Sequence, residues 1–152
     1  MEESGIKGVS CTIDDIYALP EGERAELIEG KIYYMEPPSS EHQRISYFIV
    51  RKISDYIDRE KGDCEVFLAP FTVFLNEDDR NYVEPDISVI CEKSKLEDKG
   101  CNGAPDWIIE IVSMGSRKMD YDARQIRSLP GYFMRIGILE PGFLKLSLKI
   151  FA

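Results

Sequence analysis

Two acidic residues lie inside runs of apolar and β-branched residues that otherwise have the composition of buried strands. Asp86 lies within residues 83–90, and Glu110 lies within residues 107–113. Two carboxylates on neighbouring strands can share a divalent metal, because hard cations such as Mg²⁺ prefer oxygen ligands. This pattern is typical of a metal-dependent nuclease. An acid in such a run can also sit at a strand end in solvent or pair with a lysine, so the residues alone leave both interpretations open.

The overall charge limits how such a protein can contact nucleic acid. The 152 residues have a formal net charge of −9 and a pI of about 4.7. This argues against binding through bulk charge, so any contact with DNA must use a local basic patch. The candidates are Arg44, Arg51 and Lys52 in one segment and Arg117, Lys118, Arg124 and Arg127 in another.

Composition predicts one domain over residues 1–152, and 43% of the residues are hydrophobic, enough for a buried core. The four cysteines have no C-x-x-C spacing and there is one histidine, which argues against a structural zinc site. The first ten residues lack the apolar core of a signal peptide, and no stretch reaches the length of a membrane span. We therefore expect a soluble protein in the reducing cytoplasm, with its four thiols buried or free.

The first half of the chain shows clear local signals. Thr12 followed by Asp15 predicts a short helix that ends before Pro20. Glu29 and Gly30, between two apolar runs, predict a hairpin whose two strands open the sheet. The longest helix is expected over about residues 41–61. Its predicted buried face consists of Ile45, Phe48, Ile49, Ile53, Tyr56 and Ile57.

The second half predicts strands joined by loops and one further helix entry. The expected segments are a strand at 64–75, a polar turn at 76–81, the strands that carry Asp86 and Glu110, a loop with one helical turn at 92–104, a helix entry at 114–124, and terminal strands at 132–139 and 143–151. The aromatic residues expected in the core are Tyr47, Phe48, Phe67 and Phe71, with Trp107 packing beside its strand.

Five short segments occur in an order and spacing that resemble the Uma-two family of putative restriction endonucleases, within the PD-(D/E)xK nuclease superfamily. They are Ala-Glu-Leu-Ile-Glu-Gly-Lys at 25–31, Met-Glu-Pro-Pro-Ser-Ser-Glu-His at 35–42, Val-Glu-Pro-Asp at 83–86, Gly-Ala-Pro-Asp-Trp-Ile-Ile-Glu-Ile-Val-Ser at 103–113, and Arg-Lys-Met-Asp-Tyr at 117–121. The resemblance covers about residues 12–124, and the segment after about 124 is atypical.

The resemblance implies an α/β (α+β) fold with a restriction-endonuclease-like core, a mixed β-sheet flanked by helices, and an N-terminal hairpin. It also implies that Asp86 and Glu110 bind Mg²⁺ or Mn²⁺, with the backbone carbonyl of Ile111 completing the metal shell. The reaction would be hydrolysis of a DNA phosphodiester. The atypical C-terminal segment further suggests that the protein relies on a partner subunit, as a homodimer, and no membrane is involved.

One part of the superfamily pattern differs in this chain. The lysine that normally follows the second acid by two residues is replaced by Val112, and the lysine that the family takes from the next helix matches Arg124. Arginine carries the charge but does not exchange a proton near neutral pH. Lys118 is the nearest substitute.

Three further residues are candidates for the site. Glu26 and Glu29 would supply an additional carboxylate near the metal, with Glu26 preferred, or else would be acids exposed by a hairpin. His42 would contact phosphate or assist the metal site, or else would be a helix cap or surface residue. Three functions remain open: an active Mg²⁺-dependent DNA endonuclease, a catalytically weak or inactive relative that acts in DNA binding or regulation, and a non-nuclease interaction domain.

Overall fold

The computed structural model describes residues 10–75, 78–113, 131–140 and 143–151. In chain order the elements are the helix α1 (Ile13–Tyr17), the strands β1 (Ala25–Ile28) and β2 (Lys31–Tyr34), the helix α2 (Ser40–Arg59), the strands β3 (Glu65–Leu68), β4 (Val73–Phe74) and β5 (Ile87–Ile90), a 3₁₀ turn (Lys93–Lys95), and the strands β6 (Leu96–Glu97), β7 (Gly100–Asn102), β8 (Trp107–Ser113), β9 (Gly131–Glu140) and β10 (Phe143–Phe151). The predicted helix entry at 114–124, with Arg117, Lys118 and Arg124, lies outside the described residues, as does Arg127.

The main sheet has five strands in the order β10-β9-β8-β5-β3. Strands β8 and β9 are parallel, and the other neighbouring pairs are antiparallel. The predicted mixed sheet and the two predicted terminal strands are therefore confirmed. Strand β5 lies between β3 and β8, so the strands associated with Asp86 and Glu110 are direct neighbours.

The N-terminal elements begin and end where local signals place them. The Thr12 amide donates to Asp15 Oδ2 over 2.8 Å at the start of α1, which ends before Pro20. Glu29 and Gly30 both have positive φ, 49° and 78°, the conformation of a type I′ hairpin turn between β1 and β2. The prediction that these strands open the main sheet is wrong, because they form a separate two-stranded sheet. An isolated bridge between Leu27 and Tyr82 attaches this sheet to the chain before β5.

The long helix α2 begins within one residue of its predicted start, where Ser39 Oγ accepts the His42 amide over 3.1 Å. Its buried side packs Ile45, Ile49 and Ile53 against the main sheet. The outer side was predicted wrongly. Tyr47, Phe48 and Tyr56 are exposed, because among the described elements α2 contacts the strands β3 and β8 of the main sheet and its apolar arc is wider than that contact.

The predicted strand at 64–75 is in fact two strands that belong to different sheets. It ends as β3 at Leu68, and Pro70, which has no N–H to donate to a ladder, separates it from β4. Strand β4 joins a small sheet in the order β4-β7-β6. The predicted loop at 92–104 does contain one helical turn, but it also supplies the two short strands β6 and β7 of this sheet.

Asp86 lies directly before β5 rather than inside a strand that starts at residue 83. Pro85 interrupts the ladder there, and Val83 instead forms an isolated bridge with Val73. Behind this segment, Ile87, Ile109 and Ile111 are buried against α2, and Trp107 packs against the same cluster as expected. Phe67 and Phe71 stack on each other with ring centroids 4.2 Å apart and pack against a second cluster around Val73 and Cys101, so their expected place in the core is largely confirmed.

The expectation that all four thiols are buried or free is wrong for two of them. Cys64 and Cys91 form a disulfide, while Cys11 and Cys101 are free. The antiparallel register that pairs Glu65 with Ile90 brings the next residues along each strand together, and no local spacing in the sequence signals this. Burial raises the pKa of the Cys101 thiol. Within the described residues, no helix is both long and apolar enough to cross a membrane.

Candidate active site

The register between β5 and β8 brings the two acids of the sequence pattern together. Ile87 pairs with Ile109, so the next position along this antiparallel ladder puts Asp86 beside Glu110. Both acids are buried, with 8% and 3% of their surface exposed. The Ile111 amide donates to Asp86 Oδ2 over 2.8 Å, which ties the two strands together at this point. Two carboxylates from adjacent strands thus share one edge of the core.

His42 reaches the same place from α2. Its Nε2 atom lies 3.2 Å from Asp86 Oδ2, and its Nδ1 atom lies 3.5 Å from Ser46 Oγ, one turn further along the helix. The residue therefore has two roles, because its backbone amide completes the cap of α2 while its imidazole contacts the acid. Asp86 Oδ2 faces both His42 and the Ile111 amide, and these two contacts orient the carboxylate.

Glu26 is buried on β1, so the alternative of a hairpin that simply exposes its acids is wrong for this residue. Its Oε1 atom accepts the Glu84 amide over 3.0 Å. Glu29, at the turn of the same hairpin, is exposed. Glu26 thus supports the segment that leads into Asp86, and its role as a further metal ligand stays a prediction.

Sequence reasoning missed Glu84, which is as buried as Asp86 and organises the same segment. Arg24 Nε donates to Glu84 Oε2 over 2.9 Å, and the Tyr82 hydroxyl donates to Glu84 Oε1 over 3.3 Å. Burial raises the pKa of the Tyr82 hydroxyl, and the neighbouring Glu84 carboxylate adds to this effect. The spacing of the two acids could have revealed Glu84. Residues 84 and 86 lie two positions apart, and an extended chain directs such side chains to the same side.

The oxygen donors of this edge fit a hard divalent cation. Among the described residues, no three His, Cys, Asp or Glu side chains converge as a complete metal-binding group. Mg²⁺ does not need such a group, because it keeps several waters and is commonly bound by one or two carboxylates plus phosphate oxygens. The two buried carboxylates of Asp86 and Glu110 are a donor set of this limited kind. The Ile111 carbonyl as a further donor stays a prediction. Lys118 and Arg124 lie outside the described residues, so their distance from the acids is not defined.

A mixed sheet with two acids on adjacent central strands and a long helix packed across it defines the class of restriction-endonuclease-like nuclease folds. A crystal structure described as "a putative nuclease belonging to DUF820", from Anabaena variabilis ATCC 29413, has this fold. It matches with a TM-score of 0.65 over 90% of this chain and 83% of that chain, at 22% identity. At this identity the similarity establishes the fold.

The chain belongs to the Uma2 family, whose model carries the description "Putative restriction endonuclease" and matches residues 13–140. This match extends beyond residue 124, where the resemblance in the sequence motifs ended. Two proteins of Synechocystis sp. (strain ATCC 27184 / PCC 6803 / Kazusa), "Uncharacterized protein sll1609" and "Uncharacterized protein slr1290", are 28% identical over 102 residues and 26% identical over 98 residues. Each match covers 64% of this chain, and 55% and 50% of the two relatives. The chain therefore spans about half the length of these curated relatives.

Proposed function

We propose that this protein is a metal-dependent DNA endonuclease that hydrolyses phosphodiester bonds with Asp86 and Glu110. The observation that supports this most directly is the pairing of β5 with β8, which brings two buried acids to neighbouring positions. Membership of a nuclease-like family and the nuclease fold support the same reaction. The burial of Asp86 and Glu110 also supports the proposal, because the attraction between a carboxylate and a cation is stronger in a site with little water.

In this proposal Asp86, Glu110 and the Ile111 carbonyl hold Mg²⁺ or Mn²⁺. When bound, such an ion acidifies water and offsets negative charge on the phosphate. The protein residues do the rest. His42 and the Ile111 amide orient the Asp86 carboxylate, while Arg24, Tyr82 and Glu26 hold the chain around Glu84 that precedes it. Arg124 or Lys118 would stabilise charge on the scissile phosphate as a fixed cation.

DNA is the proposed partner, and the family description supports it. A homodimer and a cytoplasmic location stay predictions from the sequence. Sedimentation velocity of the purified protein would test the dimer: a single species at twice the chain mass of 17.4 kDa is the expected result.

Cleavage of supercoiled plasmid by purified protein tests the nuclease proposal. Nicking should occur with Mg²⁺ or Mn²⁺, stop with EDTA, and disappear in Asp86→Asn and in Glu110→Gln, because each change removes a metal-binding charge. The exposed acid Glu29 provides the control, and Glu29→Gln should cleave like the wild type. Circular dichroism checks that each variant is folded. Full activity in either site variant would refute the assignment.

A second candidate is a relative that binds metal and DNA but cleaves slowly or not at all. The residue that favours it is Val112, which occupies the position of the superfamily's lysine. Arg124→Lys restores the residue of the family pattern. We expect it to increase the cleavage rate, measured under the same plasmid conditions with Arg127→Lys as a matched control. An unchanged rate would shift attention to Lys118.

A further inference from the structure

The outer side of α2 exposes aromatic rings that belong to none of the core clusters formed by the described residues. Tyr47 and Phe48 are 59% and 54% exposed, and Tyr56 further along the helix is also exposed. These three residues are half of the large hydrophobic side chains that are exposed in the described part of the chain. Tyr47 and Phe48 are adjacent on the outer side of α2 and mark a surface there, because single exposed apolar residues are normally scattered. Tyr56 lies nine residues after Tyr47 and therefore points to the opposite side of the helix.

Each of these rings has a cation above it. The Arg51 guanidinium carbon lies 5.4 Å from the centroid of Tyr47, and Lys52 Nζ lies 5.4 Å from the centroid of Phe48. Arg59 has the same relation to Tyr56. Cations held over rings in this way keep the aromatic faces and the positive charge on the same exposed surface.

The middle of this surface is basic. Residues 44–52 contain Arg44, Arg51 and Lys52 and no acid, although the chain has a net charge of −9, and the exposed acids Asp55 and Asp58 follow on the later turns of α2. None of the three cations forms an ion pair within the part of the chain that the structure describes. We call the exposed side chains of Arg44, Tyr47, Phe48, Arg51 and Lys52 the α2 stripe.

We propose that the α2 stripe binds an unpaired nucleic acid strand. Its cations contact successive phosphates, and the rings of Tyr47 and Phe48 stack on bases. This combination of a positive track with stacking aromatic side chains is how proteins hold single strands without reading their sequence. The inference rests on the proposed nuclease function and specifies which form of substrate the protein holds.

The stripe and the acid pair lie on different sides of α2. Arg44 lies two residues after His42, whose imidazole contacts Asp86, and positions two apart on a helix differ by about 200°. A helix rises about 1.5 Å per residue, so the stripe spans roughly 12 Å, a length of a few nucleotides. A strand held along it would lie on the outer side of the helix.

The aromatic rings favour a strand over a duplex, because a ring can stack on a base only where the base is unpaired or unstacked. A second copy of the chain fits less well. A twofold contact through this surface would bring Arg44, Arg51 and Lys52 against the same three cations of the other copy. Phosphates complement that charge, so a nucleic acid strand is the favoured occupant.

The test is fluorescence anisotropy with a labelled oligo-dT strand of about 20 nucleotides, in EDTA so that cleavage does not contribute. Tyr47→Ala/Phe48→Ala should weaken binding at least tenfold, because base stacking on an aromatic ring commonly contributes that much. Arg51→Ala/Lys52→Ala should also reduce the steepness of the plot of log K against log salt concentration. The slope should change by about 1.4, which is the contribution of two phosphate contacts to a single strand.

The chain offers a matched control for removing a ring and a cation. Lys99 Nζ lies 5.7 Å from the ring centroid of Tyr17 on α1, so Tyr17→Ala/Lys99→Ala removes an equivalent pair elsewhere. Its affinity for oligo-dT should stay within about twofold of the wild type, with circular dichroism confirming that all variants are folded. Wild-type protein should also bind oligo-dT more tightly than a duplex of the same length.

Three outcomes would overturn the proposal. The first is unchanged strand binding in Tyr47→Ala/Phe48→Ala, and the second is tighter binding of the duplex than of the single strand. The third is loss of self-association in Tyr47→Ala/Phe48→Ala without loss of strand binding, which would identify a second copy of the chain as the occupant. Failure of the nuclease proposal can be distinguished from failure of this one. Asp86→Asn should bind oligo-dT like the wild type. Strand binding without any cleavage would therefore refute only the proposed nuclease activity, and cleavage without strand binding would refute only the proposed role of the α2 stripe.

Discussion

Asp86 receives contacts from two distant parts of the chain at a single oxygen. The Ile111 amide comes from the neighbouring strand β8 and the His42 imidazole comes from the start of α2, and both face Oδ2. A buried carboxylate needs such contacts, because leaving it without partners in a region that excludes water is costly. The same contacts restrict how the carboxylate can turn. They therefore prepare Asp86 for a defined ligand geometry.

Replacing His42 should weaken metal binding without unfolding the helix. His42→Asn removes the imidazole contact with Asp86 but keeps the backbone amide that Ser39 caps. Changes to groups that orient a metal ligand typically lower metal affinity about 10–100-fold. Isothermal titration with Mn²⁺ measures this directly. Gln43→Ala, at the exposed neighbouring position of the same turn, is the control, and equal affinity in His42→Asn and Gln43→Ala would remove His42 from the site.

At the scale of elements, the site depends on two packed interfaces. Strands β5 and β8 pair so that Ile87 faces Ile109, and α2 lies across them with Ile49 and Ile53 in the same cluster. The helix thereby holds His42 against the strand edge. In the part of the chain that the structure describes, the outer side of α2 makes no such contact. The apolar residues of the helix therefore divide into a set that packs on the sheet and a set that is exposed.

Two substitutions at adjacent positions on α2 distinguish these sets. Ile49→Ala should lower the free energy of unfolding by about 1–3 kcal/mol, because it leaves a gap in a partly buried cluster. Phe48→Ala removes a larger side chain but should change the free energy by about 0.5 kcal/mol or less, because its ring is mostly exposed. Chemical denaturation monitored by circular dichroism gives both values. A greater loss in Phe48→Ala would mean that the outer side of α2 is packed.

At the scale of the whole molecule, the disulfide links strands that the sequence separates by 27 residues. It joins β3 and β5 at the end where Glu65 pairs with Ile90, whereas Asp86 adjoins the other end, where Leu68 pairs with Ile87. The cross-link is therefore placed to support the edge of the main sheet without touching the acid pair.

Reducing this disulfide should lower stability while cleavage is retained. A closed loop of this length contributes about 3–4 kcal/mol in the chain-entropy description. The midpoint of guanidinium unfolding should fall when a reductant is present, and plasmid cleavage at moderate temperature should continue. Cys64→Ser/Cys91→Ser is the control and should show no response to reductant. If reductant lowered the unfolding midpoint of this variant equally, the effect would come from a group other than the disulfide.

The sequence alone determined the features that depend on neighbouring residues. The cap of α1, the Glu29-Gly30 turn and the bounds of α2 follow from short-range geometry, because a turn or cap is decided within a few positions. The two acids in apolar runs and the terminal strands follow from periodicity, and the motif order identified the family. The predicted buried face of α2 was too wide. Periodicity shows which helix positions are apolar, but it does not show which of them contact another element.

Only the tertiary structure decided which distant residues meet. Glu84 pairs with Arg24 across 60 positions, the hairpin docks on Tyr82 rather than on the main sheet, and His42 reaches Asp86. Each contact depends on how the strands and the helix pack to bury the apolar surface of distant segments. A short segment of sequence does not contain this information. The pattern thus identified the carboxylates, and the packing of the fold assembled them with His42 and Ile111 into one site.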